Sequence, residues 1–101
     1  MRHRVIVRPL AERDLLDASG WYELRKVGLG GEFLDAFADL QDRLGRTPFI
    51  YPEVYRGVRR AVLRRFPYLV YFVVRGQSVQ ITACLHAARD PRLIRRRLRG
   101  G

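Results

Sequence analysis

The chain is short of cysteine, histidine, lysine and long apolar runs, and each shortage closes off a class of explanation. Cys84 is the only cysteine, so no intramolecular disulfide holds the fold. His3 and His86 are the only histidines, too few for a Cys/His zinc centre, and neither a metal nor a cofactor is expected. The longest apolar run, Tyr68 to Val74, falls far below the roughly 20 residues of a membrane-spanning helix, so no membrane association is expected. The opening "MRHRVIVRPLAERD" has basic residues without the sustained apolar stretch of a secretory signal, and the expected location is cytoplasmic. "GLGG" lies between two helical segments with no lysine after it, which reads as a turn rather than a phosphate loop. Ser19 and Ser78 have no nucleophile motif around them.

What is there is arginine. At 101 residues the chain reads as one domain, residues 1–101, with a formal net charge of +10. The charge is segregated. Residues 1–45 carry eight acids against seven bases, a balance of −1, whereas residues 46–101 carry two acids against thirteen bases, a balance of +11. Lys26 is the single lysine among twenty basic residues. Self-repulsion of this size is costly unless something anionic binds the basic half, so a polyanion or an acidic protein segment is the expected partner.

The hydrophobic pattern predicts an α+β fold. "RVIVR" (residues 4–8) is a short β-branched run and predicts a strand. Pro9 suits the first turn of a helix. Ala11, Leu15, Ala18 and Tyr22 then form one helical stripe, with Trp21 and Tyr22 read as core aromatics, the alternative being a partner-binding aromatic pair. The glycines of "VGLGG" end that helix. A second stripe, Phe33, Phe37, Leu40 and Leu44, completes an antiparallel helical hairpin. "RTPFIYPEVYRG" (46–57) reads as an ordered loop. Three strands, 58–66, 68–75 and 79–86, form an antiparallel meander, with "RGQS" turning between the last two. On the last strand, strict alternation puts Val79, Ile81, Ala83 and Leu85 on one face, and Gln80, Thr82, Cys84 and His86 on the other. "PRLIRRRLR" predicts a short basic C-terminal helix started by Asp90-Pro91. The helices are expected on one sheet face, with the other free to bind.

Two sets of residues carry candidate chemistry. His86, with its near-neutral titration, is the candidate for proton transfer. Paired with Arg65 and Arg89 it could support phosphodiester cleavage, the arginines stabilising phosphate charge. The alternative is a histidine capping the end of its strand. The second set is the binding arginines. Arg59, Arg60, Arg64 and Arg65 flank an apolar core strand, where Arg60 and Arg64 share one face and Arg59 and Arg65 the other. They serve a partner or guard an exposed edge against aggregation. Arg92, Arg95 and Arg96 lead the C-terminal basic run, which binds phosphates or an acidic partner, or is a solvated tail.

"VRRAVLRRFPYLVYFVV" and "ITACLHAARDP", in this order of elements, resemble the RelE/ParE superfamily of bacterial toxins from type II toxin–antitoxin modules. The likeness is closer to the ParE-like members, where an arginine-rich strand runs into Phe-Pro-Tyr, here Phe66-Pro67-Tyr68, and a later strand ends in a histidine followed by Arg-Asp-Pro, here His86 and Arg89-Asp90-Pro91. The resemblance implies a toxin neutralised by a cognate antitoxin, whose acidic C-terminal segment wraps it. It implies DNA gyrase as the target of a ParE-like member and ribosome-bound mRNA as that of a RelE-like endoribonuclease. In the RNA-cleaving branch a catalytic arginine occupies the position of Tyr68, lysines lie on the second helix, and a tyrosine follows late in the chain. Here the second helix has no lysine, and Ala87 and Ala88 follow His86. The resemblance therefore implies a binding toxin that inhibits gyrase, with mRNA cleavage as the alternative.

Overall fold

A computed structural model describes residues 2–100. A short strand, β1 (Arg4–Val7), leads into two helices, α1 (Pro9–Arg25) and α2 (Leu29–Arg46). A single 3₁₀ turn, Pro48–Ile50, precedes β2 (Glu53–Tyr55), β3 (Val58–Val62), β4 (Tyr68–Arg75), β5 (Ser78–His86) and α3 (Pro91–Gly100). The five strands form one mixed sheet in the order β1-β5-β4-β3-β2. β1 runs parallel to β5, and the other neighbouring pairs are antiparallel. The class is the expected α+β, with the meander extended by a strand at each edge.

The hairpin forms where the two stripes predict it. Ala11, Leu15 and Ala18 of α1 and Phe33, Phe37, Leu40 and Leu44 of α2 are buried against Ala61, Val70, Phe72, Val79, Ile81 and Cys84 of the sheet. Gly28 has φ 91°, a left-handed value that glycine adopts without strain. The helices cross so closely that a Cβ on Gly30 would lie 2.5 Å from the Ser19 carbonyl oxygen. Glu23 then reaches across the link and accepts from the Gly28 and Gly30 amides at 2.9 and 3.0 Å, satisfying two donors at the start of α2.

Several sequence expectations change. The first arginine-rich strand ends at Val62 rather than residue 66. Beyond it the chain bends, with Arg65 at φ 70°, so that Leu63 and Phe66 both drop into the hairpin-side core. Arg60 and Arg64 therefore do not share a strand face. The stretch read as loop contains β2, whose Glu53 pairs with Arg59. Strict alternation also fails on β5. Tyr71 pairs with Ala83 but Phe72 with Ile81, which leaves Thr82 as a bulge. Val79, Ile81 and Cys84 consequently face the hairpin, while Ala83 and Leu85 face the opposite side.

That opposite side is not free. Ile94 and Leu98 of α3 pack on a second cluster of Val58, Tyr71, Val73, Ala83 and Leu85. The sheet is thus layered between an extensive hairpin and one short arginine-rich helix.

Candidate functional site beside the free end of β5

β1 pairs with β5 only from Ser78 to Ile81. From Thr82 onward the edge of β5 that faced β1 has no strand beside it, and its backbone groups need other partners. Asp14 of α1 and Arg97 of α3 supply them. The Cys84 amide donates to Asp14 Oδ2 at 3.0 Å, and Arg97 donates to the Thr82 carbonyl at 3.3 Å. Arg97 also grips Asp14 through two hydrogen bonds of 3.0 and 2.8 Å. Side-chain exposures of 26% and 12% make this the best shielded ion pair among the described residues. Such bidentate, charge-assisted geometry is the strong kind. Arg97, one of the arginines of the C-terminal run, is thus a structural clamp.

Next to the clamp lies a cleft of about 370 Å³ between α1 and the last turn of β5. Asp17 and Trp21 of α1, Tyr68 of β4, His86 and Arg89 line it, with Asp14 and Cys84 at its base. The His86 ring stands edge-on to Tyr68, centroids 5.2 Å apart. The Ala88 amide donates to His86 Nδ1 at 3.0 Å. That bond uses the lone pair of Nδ1 and so assigns the neutral ring's proton to Nε2. Trp21 is 49% exposed, and the Arg25 guanidinium sits 3.3 Å from its ring centroid. Burial raises the Tyr68 hydroxyl above its ordinary value, with the nearby Tyr22, Cys84 and Asp14 adding and Arg89 opposing. Burial, and then the charge of Asp14, push the Cys84 thiol up to about 12, so this cysteine is a protonated core side chain rather than a nucleophile.

The structure brings His86 and Arg89 to one cleft but not Arg65. Arg65 pairs instead with Glu32 of α2 at 2.8 Å and lies over the Phe66 ring. Its hydrogen bond holds the Glu32 carboxyl below its usual range. Among the binding candidates, Arg59 donates to the Tyr51 carbonyl at 2.6 Å and covers Phe49. Arg92 pairs with Asp90 at 3.0 Å and lowers that carboxyl through side-chain and backbone bonds. Arg60, Arg64, Arg95 and Arg96 make no side-chain hydrogen bond or ion pair among the described residues, and Arg64, Arg95 and Arg96 are exposed.

Asp17 and Tyr68 were not picked out as site residues from the sequence, and the reading of Trp21 as a core aromatic is corrected, since it is exposed and lines the cleft. A signal for Trp21 existed. Tyr22 completes the stripe of Ala11, Leu15 and Ala18, and a neighbouring residue lies about 100° around a helix. Trp21 therefore cannot share that stripe and instead joins Asp14 and Asp17 on the flank that overlooks β5. Among the described residues no cluster of His, Cys, Asp and Glu is placed to hold a metal ion, and no helix is long and apolar enough to cross a membrane.

A family model described as the ParE toxin of type II toxin–antitoxin system, parDE, matches residues 5–91. Among solved structures, the chain is similar to the chromosomal ParDE TA system from P. aeruginosa with a TM-score of 0.73 and 20% identity, over 84% of this chain and 96% of that one. That likeness is one of fold. No curated protein matches the chain significantly.

Proposed function

Because the chain belongs to the ParE toxin family of type II toxin–antitoxin systems, we propose that it acts by binding, inhibits DNA gyrase, and is neutralised by a cognate antitoxin with an acidic segment. The observation that carries the binding reading is the hydrogen bond from the Ala88 amide to His86 Nδ1. A general base needs a free lone pair aimed at the substrate, and this bond occupies the one that neutral His86 offers. Tyr68 adds to it, since it stands where the resemblance places an arginine in RNA-cleaving relatives. The charge distribution supports the partner: the half that is +11 attracts an acidic segment, and such steering weakens as salt screens it.

A supercoiling assay tests the target. Purified toxin should block gyrase and accumulate cleaved DNA, and it should leave mRNA intact in a translating extract. Codon-specific cuts in ribosome-bound mRNA would replace this reading with the endoribonuclease one, which the shared cleft of His86 and Arg89 favours. Antitoxin association should slow by at least about tenfold between roughly 50 and 500 mM salt, and rates indifferent to salt would remove the electrostatic account of the partner.

A further inference from the structure

We propose that the cleft beside β5 seats an unpaired guanine base carried on a nucleic-acid strand, whose phosphates continue onto the arginine face of α3. The inference is independent of which target the toxin inhibits.

The walls of the cleft are what a base needs. Trp21 offers an aromatic surface already stiffened by Arg25 at 3.3 Å, and Tyr68 lines the same cleft. Flat aromatic walls bind bases by stacking, which does not discriminate among them. Discrimination comes from the polar groups. The Asp17 side chain makes no hydrogen bond or ion pair among the described residues, although it lines the cleft. A carboxylate accepts two hydrogen bonds side by side. The Watson–Crick edge of guanine presents two adjacent donors, N1–H and the N2 amino group, beside the O6 acceptor. His86 supplies the matching donor, because the Ala88 amide fixes its proton on Nε2. Adenine and thymine lack that pair of adjacent donors. In duplex DNA the same edge is consumed by cytosine, so the base must be unpaired.

The strand is implied by what adjoins the cleft. Arg89 lines both this cleft and a neighbouring one that it shares with Arg96 and Arg97. A base seated against Trp21 would therefore hand its phosphates to Arg89 and then to Arg96. An aromatic platform that runs into a basic track is the arrangement by which single strands are held, and arginine matches phosphate geometry.

The single tryptophan of the chain is the probe. Titrating the protein with an oligo-dT strand carrying one central dG should quench Trp21 fluorescence, with a Kd at least about tenfold below that for the all-dT strand. Free GMP should bind at least about tenfold more weakly than the dG strand, since it lacks the flanking phosphates. Asp17→Asn should erase the preference for dG, and Arg96→Ala should weaken both strands alike and flatten the salt dependence. Far-UV circular dichroism establishes that each variant is folded; should Asp17→Asn not fold, Asp17→Ser replaces it with the same expected outcome. Absence of quenching by any of the three ligands overturns the site. Equal binding of GMP and the dG strand overturns the strand, leaving a free nucleotide as the ligand. A dG preference that survives loss of the Asp17 carboxylate overturns the reading of guanine.

Discussion

The helical hairpin and α3 lie on opposite faces of one sheet, and both are amphipathic, yet different forces attach them. The hairpin is held by area: seven of its apolar side chains are buried, among them Phe33 and Leu44 at 0% exposure. α3 buries no residue fully. It rests on Ile94 and Leu98 and is fastened by the pair between Arg97 and Asp14. The hairpin is thus inseparable from the fold, whereas α3 is an arginine-bearing element held by a few specific contacts. Local stability follows buried apolar contact, so a basic surface can be mounted on a rigid domain and still move against a partner.

The largest expected effect comes from attacking the hairpin. Phe33 packs between Tyr22, Phe66 and Tyr68 at centroid distances of 5.5, 5.3 and 5.2 Å. Phe33→Ala should cost about 3–5 kcal/mol, read as a lowered urea midpoint. In a domain of this size that is a large share of the stability. A loss under about 1 kcal/mol would mean that the hairpin face is not the core described here.

The clamp comes next. Asp14→Ala strips Arg97 of its counter-charge and leaves the Cys84 amide without its acceptor, for a loss of about 2–4 kcal/mol. Arg97→Ala should cost less, about 1–2 kcal/mol, because Asp14 keeps its bond to the Cys84 amide. Hydrogen exchange sharpens the contrast. In Arg97→Ala the amides of α3 should lose protection while those of α1 and α2 keep it. Simultaneous loss in all three helices would erase the distinction between the two elements.

A pH titration separates the faces again. The Cys84 thiol, ordinarily near 9.0, is pushed up to about 12 by burial and by the Asp14 charge. The folded state therefore keeps a proton that the unfolded chain sheds above pH 9.0. Stability that is intact below that value is lost as pH rises towards 12, at about 1.4 kcal/mol per pH unit for one such group. The tyrosines Tyr22 and Tyr68, also raised by burial, add to the loss above pH 10.0. Cys84→Ala should make the alkaline slope shallower by about one proton in urea melts across this range. An unchanged slope would place the thiol in contact with water.

Most of this architecture is legible in the residues themselves. The two helical stripes, the glycine link, the turn at Gly76-Gln77 and the basic C-terminal helix all follow from local period and turn chemistry, because each depends on neighbours in sequence. The failures share a cause. Strict alternation misassigned Ala83 and Leu85, because a bulge at Thr82 is a relation between two strands and leaves no mark in one of them. The early end of β3 comes from Leu63 and Phe66 both finding the same core. The clamp joins residues 83 apart in the chain, and no periodicity links Asp14 to Arg97. Arg65 was grouped with His86 as candidate cleavage chemistry, but its positive φ turns it towards Glu32.

The smallest effect is expected at His86, and it bears most directly on what the basic side of the molecule does. His86 is exposed, and its contacts are the edge of Tyr68 and the Ala88 amide. Replacing it with Gln keeps an amide oxygen that can accept from that amide, as well as an N–H donor, and removes only the imidazole ring. Substitutions at such surface positions usually stay within about 0.5 kcal/mol, so the urea midpoint of His86→Gln should barely move. If His86 moved a proton in catalysis, the change would lower the rate by about a hundredfold to ten-thousandfold, and the protein would lose its toxicity while still capturing its antitoxin. In a binding toxin growth inhibition should persist. The companion variant, Arg92→Ala combined with Arg95→Ala and Arg96→Ala, leaves Arg97 and the fold in place and removes three of the four exposed arginines of α3. It should weaken inhibition more than His86→Gln does, because it removes phosphate- or carboxylate-binding groups rather than a single donor. A folded, antitoxin-binding His86→Gln protein without toxicity, beside an arginine variant that remains toxic, would reverse the roles assigned to the cleft and to α3.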